Sequence, residues 1–105
     1  MKRIFVGGHN GMVGSALIRA LGEYLNEYKV ITRNRTELDL CSQQAVKDFI
    51  SHEKPDVVIN AAGRVGGIYA NNTFPADFIR ENLLINTNLI HTSHEFGVTR
   101  FLNLG

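Results

Sequence analysis

Two hydrophobic rhythms alternate along this chain. Arg3 to Val6 is a short apolar run that stops at Gly7-Gly8 and predicts a buried parallel strand. From Met12 the period lengthens. Val13, Ala16, Leu17, Ala20, Leu21 and Tyr24 recur at helical spacing and predict the inward face of an amphipathic helix. Lys29 to Thr32 predicts a second strand, and the polar-apolar alternation of Thr36 to Leu40 predicts a short edge strand. Ser42 is an N-cap candidate for a helix from Gln43 to about Glu53, with Val46, Phe49 and Ile50 turned inward. Pro55 marks the exit into a third buried run, Asp56 to Ala62, rich in β-branched residues.

A glycine- and asparagine-rich loop follows, from Gly63 to Thr73. Pro75 suits a first helical turn, and the helix expected from about Ala76 to Phe96 is closed by Gly97. Ile79, Leu83 and Ile90 line one side of it; Phe78, Ile85 and Leu89 line another. So wide an apolar arc predicts cover on two sides, by the sheet and by a partner. Arg100 to Leu104 is the last strand. Strands alternating with helices predict an α/β fold, a parallel sheet with helices on both faces. The chain stops at the carboxyl end of a strand, where ligands bind in such sheets, so a domain truncated after Gly105 is expected.

Composition narrows the partners. The 105 residues suit one domain, residues 1–105, and the net charge of +1 gives no reason to expect nucleic acid or an anionic membrane. Cys41 is the sole cysteine, which excludes an internal disulfide and a cysteine metal cluster. No apolar run approaches the ~18 residues of a membrane span, and the first residues are too short for a signal peptide. The expected location is the cytoplasm.

The segment Gly8-His9-Asn10-Gly11-Met12-Val13-Gly14 carries the strongest chemistry. Its glycines are spaced by two residues, directly after a predicted strand and at the start of a predicted helix. In that setting one glycine makes the turn, one admits a pyrophosphate to the backbone, and one lets helix pack on strand. The helix N-terminus offers free N–H groups and partial positive charge to the phosphates. The fold expected is therefore Rossmann-type. NAD enzymes place an acid after the second strand, for the ribose 2′-hydroxyl. Here Arg33-Asn34-Arg35 stands instead, and two guanidinium groups suit the 2′-phosphate of NADP(H). Small residues at Asn60-Ala61-Ala62-Gly63 let a flat cofactor lie against backbone.

The Gly-x-x-Gly-x-x-Gly spacing resembles the extended short-chain dehydrogenase/reductases. The block Val65-Gly66-Gly67-Ile68-Tyr69-Ala70-Asn71-Asn72-Thr73, with Phe74 to Ile79, Asn82, Asn88, Ile90, His91, His94 and the closing Phe101 to Gly105, is similar to the GDP-L-fucose synthase family. The resemblance covers essentially the whole chain. It implies an NADP-dependent enzyme that epimerises GDP-4-keto-6-deoxy-D-mannose at C3 and C5 and reduces C4 with hydride from NADPH. It implies cofactor contacts at Gly8 to Gly14, at Arg35 with Arg33, at Asp39 and Leu40 beside the adenine, at Ala62 and Gly63, and at Leu104 and Gly105. It implies a homodimer paired through long helices. Asn10 departs from the arginine of many bacterial members, and Asp39 from an asparagine of some relatives. The family's serine, cysteine, Tyr-x-x-x-Lys pair and histidine fall beyond Gly105. Tyr24, Tyr28 and Tyr69 have no lysine four residues on, so no catalytic residue and no substrate lobe are expected in this chain.

The remaining polar residues read blandly. Cys41 suits a small buried role, and His91 and His94 share a helical face without a third metal ligand. Asn82 and Asn86 share a face that reads equally as bonding toward cofactor or substrate or as a solvated or helix-pairing face. Two other functions stay open: another extended short-chain nucleotide-sugar epimerase or dehydratase, and a non-catalytic NADP-binding module.

Overall fold

The computed structural model describes residues 2–24, 26–62 and 75–104. Among these residues the chain runs β1 (Lys2–Gly7), α1 (Met12–Leu21), a 3-10 turn (Gly22–Tyr24), β2 (Tyr28–Ile31), α2 (Gln43–Glu53), β3 (Val57–Asn60), α3 (Pro75–Glu95) and β4 (Arg100–Asn103). The strands form one parallel sheet in the order β2-β1-β3-β4. The predicted α/β architecture is therefore present. The order reverses between β1 and β3, whose carboxyl ends flank the crevice where such sheets bind ligands.

Register sorts the side chains onto two faces. Ile31, Phe5, Val58 and Phe101 lie in one row across the four strands. They point to a core completed by Val46 and Ile50 of α2 and by Ile85 and Leu89 of α3. Val6 and Ile59 alternate to the other face, where Leu17, Ile18 and Leu21 of α1 cover them. Helices thus lie on both faces, as the alternating sequence requires.

α2 begins as predicted. The Ser42 hydroxyl accepts the Ala45 N–H at 3.2 Å, and Phe49 packs its ring against Phe5 at 4.7 Å between centroids. Pro75 takes the first position of α3, and Gly97 sits at φ +74° just past that helix's end.

Two expectations are corrected. The inward face of α1 is Gly14, Leu17, Ile18 and Leu21, while Val13, Ala16, Ala20 and Tyr24 are exposed. Gly14 sets the phase, because a Cβ there would fall 1.9 Å from the Gly8 carbonyl oxygen. The helix can approach the glycine turn only on its bare side.

Thr36 to Leu40 is a turn rather than an edge strand. Its backbone groups find partners at home. The Glu37 and Leu38 N–H groups donate to Asn34 O, and the Cys41 N–H donates to the Asp39 carboxylate at 3.0 Å. Such local bonds compete directly with a strand ladder.

One side of the apolar arc of α3 is covered by the sheet, as expected. Ile85 and Leu89 are buried together with Asn88, Thr92 and Ser93, whereas Ile79, Leu83 and Ile90 stand exposed. The side chain of Phe78 and the loop 63–74 lie outside the described residues.

Candidate functional site

At the carboxyl ends of β1 and β3 lies a cavity of about 690 Å³. The glycine turn, the segment Arg33 to Cys41, Ala61-Ala62, and Glu81 and Ile85 of α3 line it.

Each glycine of the turn has its own reason. Gly8 sits at φ +81°, and a Cβ there would fall 2.6 Å from the Ala61 carbonyl oxygen and the Ala62 backbone. Both facts demand glycine. Gly14 is demanded by packing, as described above. Gly11 is demanded by neither. Its backbone is ordinary, at φ −77° and ψ 175°, and a Cβ would meet only Gly8 O at 3.5 Å. Nothing among the described residues needs that position bare, so the bare surface fits a ligand pressed against the backbone.

The turn also leaves α1 open at its start. The Gly11 N–H donates to Gly8 O at 3.1 Å, and Gly11 O accepts from the Ser15 N–H at 2.9 Å. No side chain among the described residues caps the helix, and its first turn carries no acid. Unpaired N–H groups and the positive end of the helix dipole are left for an anion. The glycine turn and α1 therefore fit the pyrophosphate of a dinucleotide.

The opposite wall is made by side-chain bonding. Asn34 Oδ1 accepts from the Glu37 N–H at 2.9 Å and the Thr36 hydroxyl at 2.6 Å, while the Asn34 N–H donates to Glu37 Oε1. That reciprocal bonding shapes the turn. Leu38 is buried in the core beneath it. Asn88 of α3 donates its amide to Leu40 O at 2.9 Å and pins the segment to the helix. Burial, reinforced by Asp39 and Glu81, pushes the Cys41 thiol up, so at neutral pH it is a wall rather than a nucleophile.

The two arginines differ. The Arg33 guanidinium lies over the Phe49 ring at 5.3 Å and donates to Glu53 Oε1 at 2.8 Å and to Thr32 O at 2.7 Å. Arg35 is exposed on the cavity wall, and among the described residues it has no carboxylate partner.

Behind the cavity, fully buried Asn60 ties three elements together. Its amide donates to Asn86 Oδ1 at 2.6 Å and Asn103 Oδ1 at 3.2 Å, and its Oδ1 accepts the Ala62 N–H at 2.9 Å. Asn86 therefore joins α3 to β3, a helix-to-sheet tie rather than a helix pair.

Of the residues proposed from sequence, Gly8, His9, Asn10, Gly11, Arg33, Arg35, Asp39, Leu40 and Ala62 meet on the cavity. Met12 and Val13 do not line it; their side chains are exposed. Leu104 is half-exposed and off the cavity, its N–H donating to Asn60 O. Gly63 and Gly105 lie outside the described residues. Ala61, one of the small residues expected beside a flat cofactor, lines it too, and Asn34, Thr36, Leu38, Cys41, Glu81 and Ile85 line it without having been proposed. Most are chain neighbours of proposed residues. Glu81 and Ile85 are four apart on α3, a helical spacing that marks a shared face. Among the described residues no cluster of metal-ligating side chains and no helix able to cross a membrane is present.

Comparison with known proteins agrees with this geometry. The chain is 52% identical over 103 residues to GDP-L-fucose synthase 1 of Arabidopsis thaliana, covering 98% of the chain and 32% of that protein. It is 48% identical over 104 residues to GDP-L-fucose synthase of Escherichia coli strain K12, covering 99% and 32%. The fold superposes on GDP-mannoheptose C4 reductase from Campylobacter jejuni, solved with NADP bound, with a TM-score of 0.89 and 38% identity over 97% of the chain and 32% of that one. The chain spans about a third of the length of these proteins. The model of the NAD dependent epimerase/dehydratase family matches residues 4–105, which include most of β1, the glycine turn and α1. The chain belongs to that family.

Proposed function

We propose that the chain is the NADP(H)-binding domain, residues 1–105, of a GDP-L-fucose synthase. In this reading the whole enzyme epimerises GDP-4-keto-6-deoxy-D-mannose at C3 and C5 and reduces its C4 ketone. The observation that carries the cofactor half is the unneeded bareness of Gly11 beside a helix start that no described side chain caps, with Arg35, which has no carboxylate partner among the described residues, on the same cavity. Identity near 50% to several GDP-L-fucose synthases supports the substrate half.

Bound NADPH supplies hydride for the C4 reduction. Gly8 to Gly11 and the first turn of α1 hold its pyrophosphate, and Arg35 pairs with the 2′-phosphate. Leu38, Leu40 and Ile85 give the adenine an apolar seat, and Asp39 accepts its amino group. The buried Asn60 network keeps Ala61-Ala62 at the distance that Gly8 requires. A homodimer in the cytoplasm completes the reading. The exposed stripe of Ile79, Leu83 and Ile90 on α3 supports pairing through that helix.

The test is a titration with NADPH and with NADH, followed by cofactor fluorescence and thermal unfolding. NADPH at a hundred times its Kd raises stability by about 2.7 kcal/mol, and NADH at the same concentration by much less. Equal binding of the two, or binding of neither, overturns the cofactor assignment. Conversion of GDP-4-keto-6-deoxy-D-mannose with NADPH oxidation tests the substrate half; oxidation only with a different nucleotide sugar overturns it.

A further inference from the structure

We propose that Glu53 is a specificity-determining residue. It holds the guanidinium of Arg33 in an ion pair at the cavity's edge, so that a bound phosphate meets Arg35 alone. This rests on the reading of the cavity as an NADP(H) site.

Glu53 is the last residue of α2 and is mostly buried, at 19% side-chain exposure. One carboxylate oxygen accepts from Arg33 Nη2 at 2.8 Å, and the other pairs with Arg3 Nη2. Its backbone carbonyl accepts from Arg3 Nε at 2.9 Å. Arg3 anchors the Glu53 terminus to β1, and that anchored carboxylate anchors Arg33. The second amino group of Arg33 is engaged too, on Thr32 O at 2.7 Å, and the guanidinium plane rests on Phe49. A guanidinium that grips phosphate in fork geometry presents two N–H groups at once. One N–H of each terminal nitrogen of Arg33 is already engaged, which fixes the direction of the fork, and the partly buried ion pair is weakly screened.

The sequence places two arginines where a 2′-phosphate is read, yet the structure divides their work. Arg35 is exposed without a carboxylate partner among the described residues; Arg33 is clasped. Arg33 still borders the cavity, two residues from Arg35 on one segment. Removing the Glu53 charge loosens the clasp, leaves Arg3 and Arg33 repelling each other, and lets Arg33 turn toward the phosphate. Glu53 lines no part of the cavity itself. It acts on cofactor choice through Arg33 and is a positioning residue.

The experiment measures Kd for NADPH and NADH in the wild-type chain, in Glu53→Gln, and in Glu53→Gln combined with Arg33→Gln. Glu53→Gln is expected to tighten NADPH about fivefold, the worth of one added charge-assisted contact, and to leave NADH within about twofold. The double variant is expected to return NADPH to the wild-type value. An unchanged or smaller NADPH-to-NADH preference in folded Glu53→Gln overturns the proposal, as does a gain that persists in the double variant. A readout on the wild-type chain needs no variant to fold. The arginine Nε–H resonances are followed during NADPH titration, and that of Arg35 is expected to shift while that of Arg33 holds. A comparable shift at Arg33 overturns the proposal. A wild-type chain that prefers neither cofactor overturns the underlying site reading, an outcome distinct from preference retained but unaltered by Glu53→Gln.

Discussion

The Gly8–Gly14 turn holds its shape with almost no side chains, whereas the segment from Arg33 to Ser42 on the opposite wall holds its shape largely with them. In the first, backbone packs on backbone: Gly8 against Ala61-Ala62, and Gly14 against Gly8. In the second, Asn34, Glu37 and Asp39 bond to nearby main chain, and Asn88 ties the segment to α3. The first wall is rigid because no atom can be added to it. The second is held because several polar groups must all be satisfied. A wall of bare backbone suits a pyrophosphate, which needs N–H groups and close approach. A wall of side chains suits the parts of a cofactor that distinguish one nucleotide from another.

This contrast is breakable. Gly14→Ala attacks the bare wall where it is tightest, since the new Cβ would sit 1.9 Å from a backbone oxygen that cannot rotate away. We expect a loss of about 3 kcal/mol or more, read as the shift in the urea midpoint at constant slope. A loss below ~1 kcal/mol means that α1 slides freely, and the close-packing account of that wall fails.

Gly11→Ala sharpens the contrast by touching the same turn where packing does not need glycine. Stability should stay within ~0.5 kcal/mol of wild type. NADPH affinity should fall about tenfold, roughly 1.4 kcal/mol, in a fluorescence titration. A large stability loss with affinity intact means that Gly11 is structural.

Asn34→Ala attacks the side-chain wall. It removes the acceptor shared by the Glu37 N–H and the Thr36 hydroxyl, at a cost of about 1 kcal/mol in chemical denaturation. Amide exchange should quicken at Glu37 and Leu38 and stay unchanged at Ser15, which answers to the other wall. Equal quickening at both sites means that the two walls are one cooperative unit.

The smallest effect is at Cys41. Its pKa is raised above the ordinary 9.0, chiefly by burial and then by Asp39, so the folded chain keeps the thiol protonated where an unfolded one begins to ionise. Stability from this source is present at lower pH and is lost as pH rises past 9 toward the folded value. Iodoacetamide should therefore label Cys41 more slowly at pH 8.5 than it labels a cysteine in an unstructured peptide, and more slowly still with NADPH bound. Labelling at or above the peptide rate contradicts the placement of Cys41 in the wall.

The two walls were unequally legible. The glycine turn was readable because its determinants are local: spacing, a strand before it and a helix after it. The 33–42 segment was misread as part strand, because alternation of Leu38 and Leu40 with polar neighbours also arises when a turn buries one leucine in the core and sets another beside Gly7. The helices taught a similar lesson. α1 has apolar residues over enough of its surface that periodicity left its phase undetermined. α3 has two apolar sides, and the sheet selected the one carrying Ile85 and Leu89.

The sequence by itself determined the element types, their alternation, the parallel sheet they require and the place where backbone lies bare at a helix start. These follow from hydrophobic period, caps and glycines, whose effects act within a few residues. Only the tertiary structure decided which face of α1 turns inward and which arginine is clasped by Glu53. It also decided that Asn60 bonds Asn103, 43 residues away, and that Glu53 claims Arg33, 20 residues away. Those choices belong to packing and charge between elements distant in the chain. No local pattern encodes them, because each side chain's partner is set only once the sheet has brought the strands and helices together.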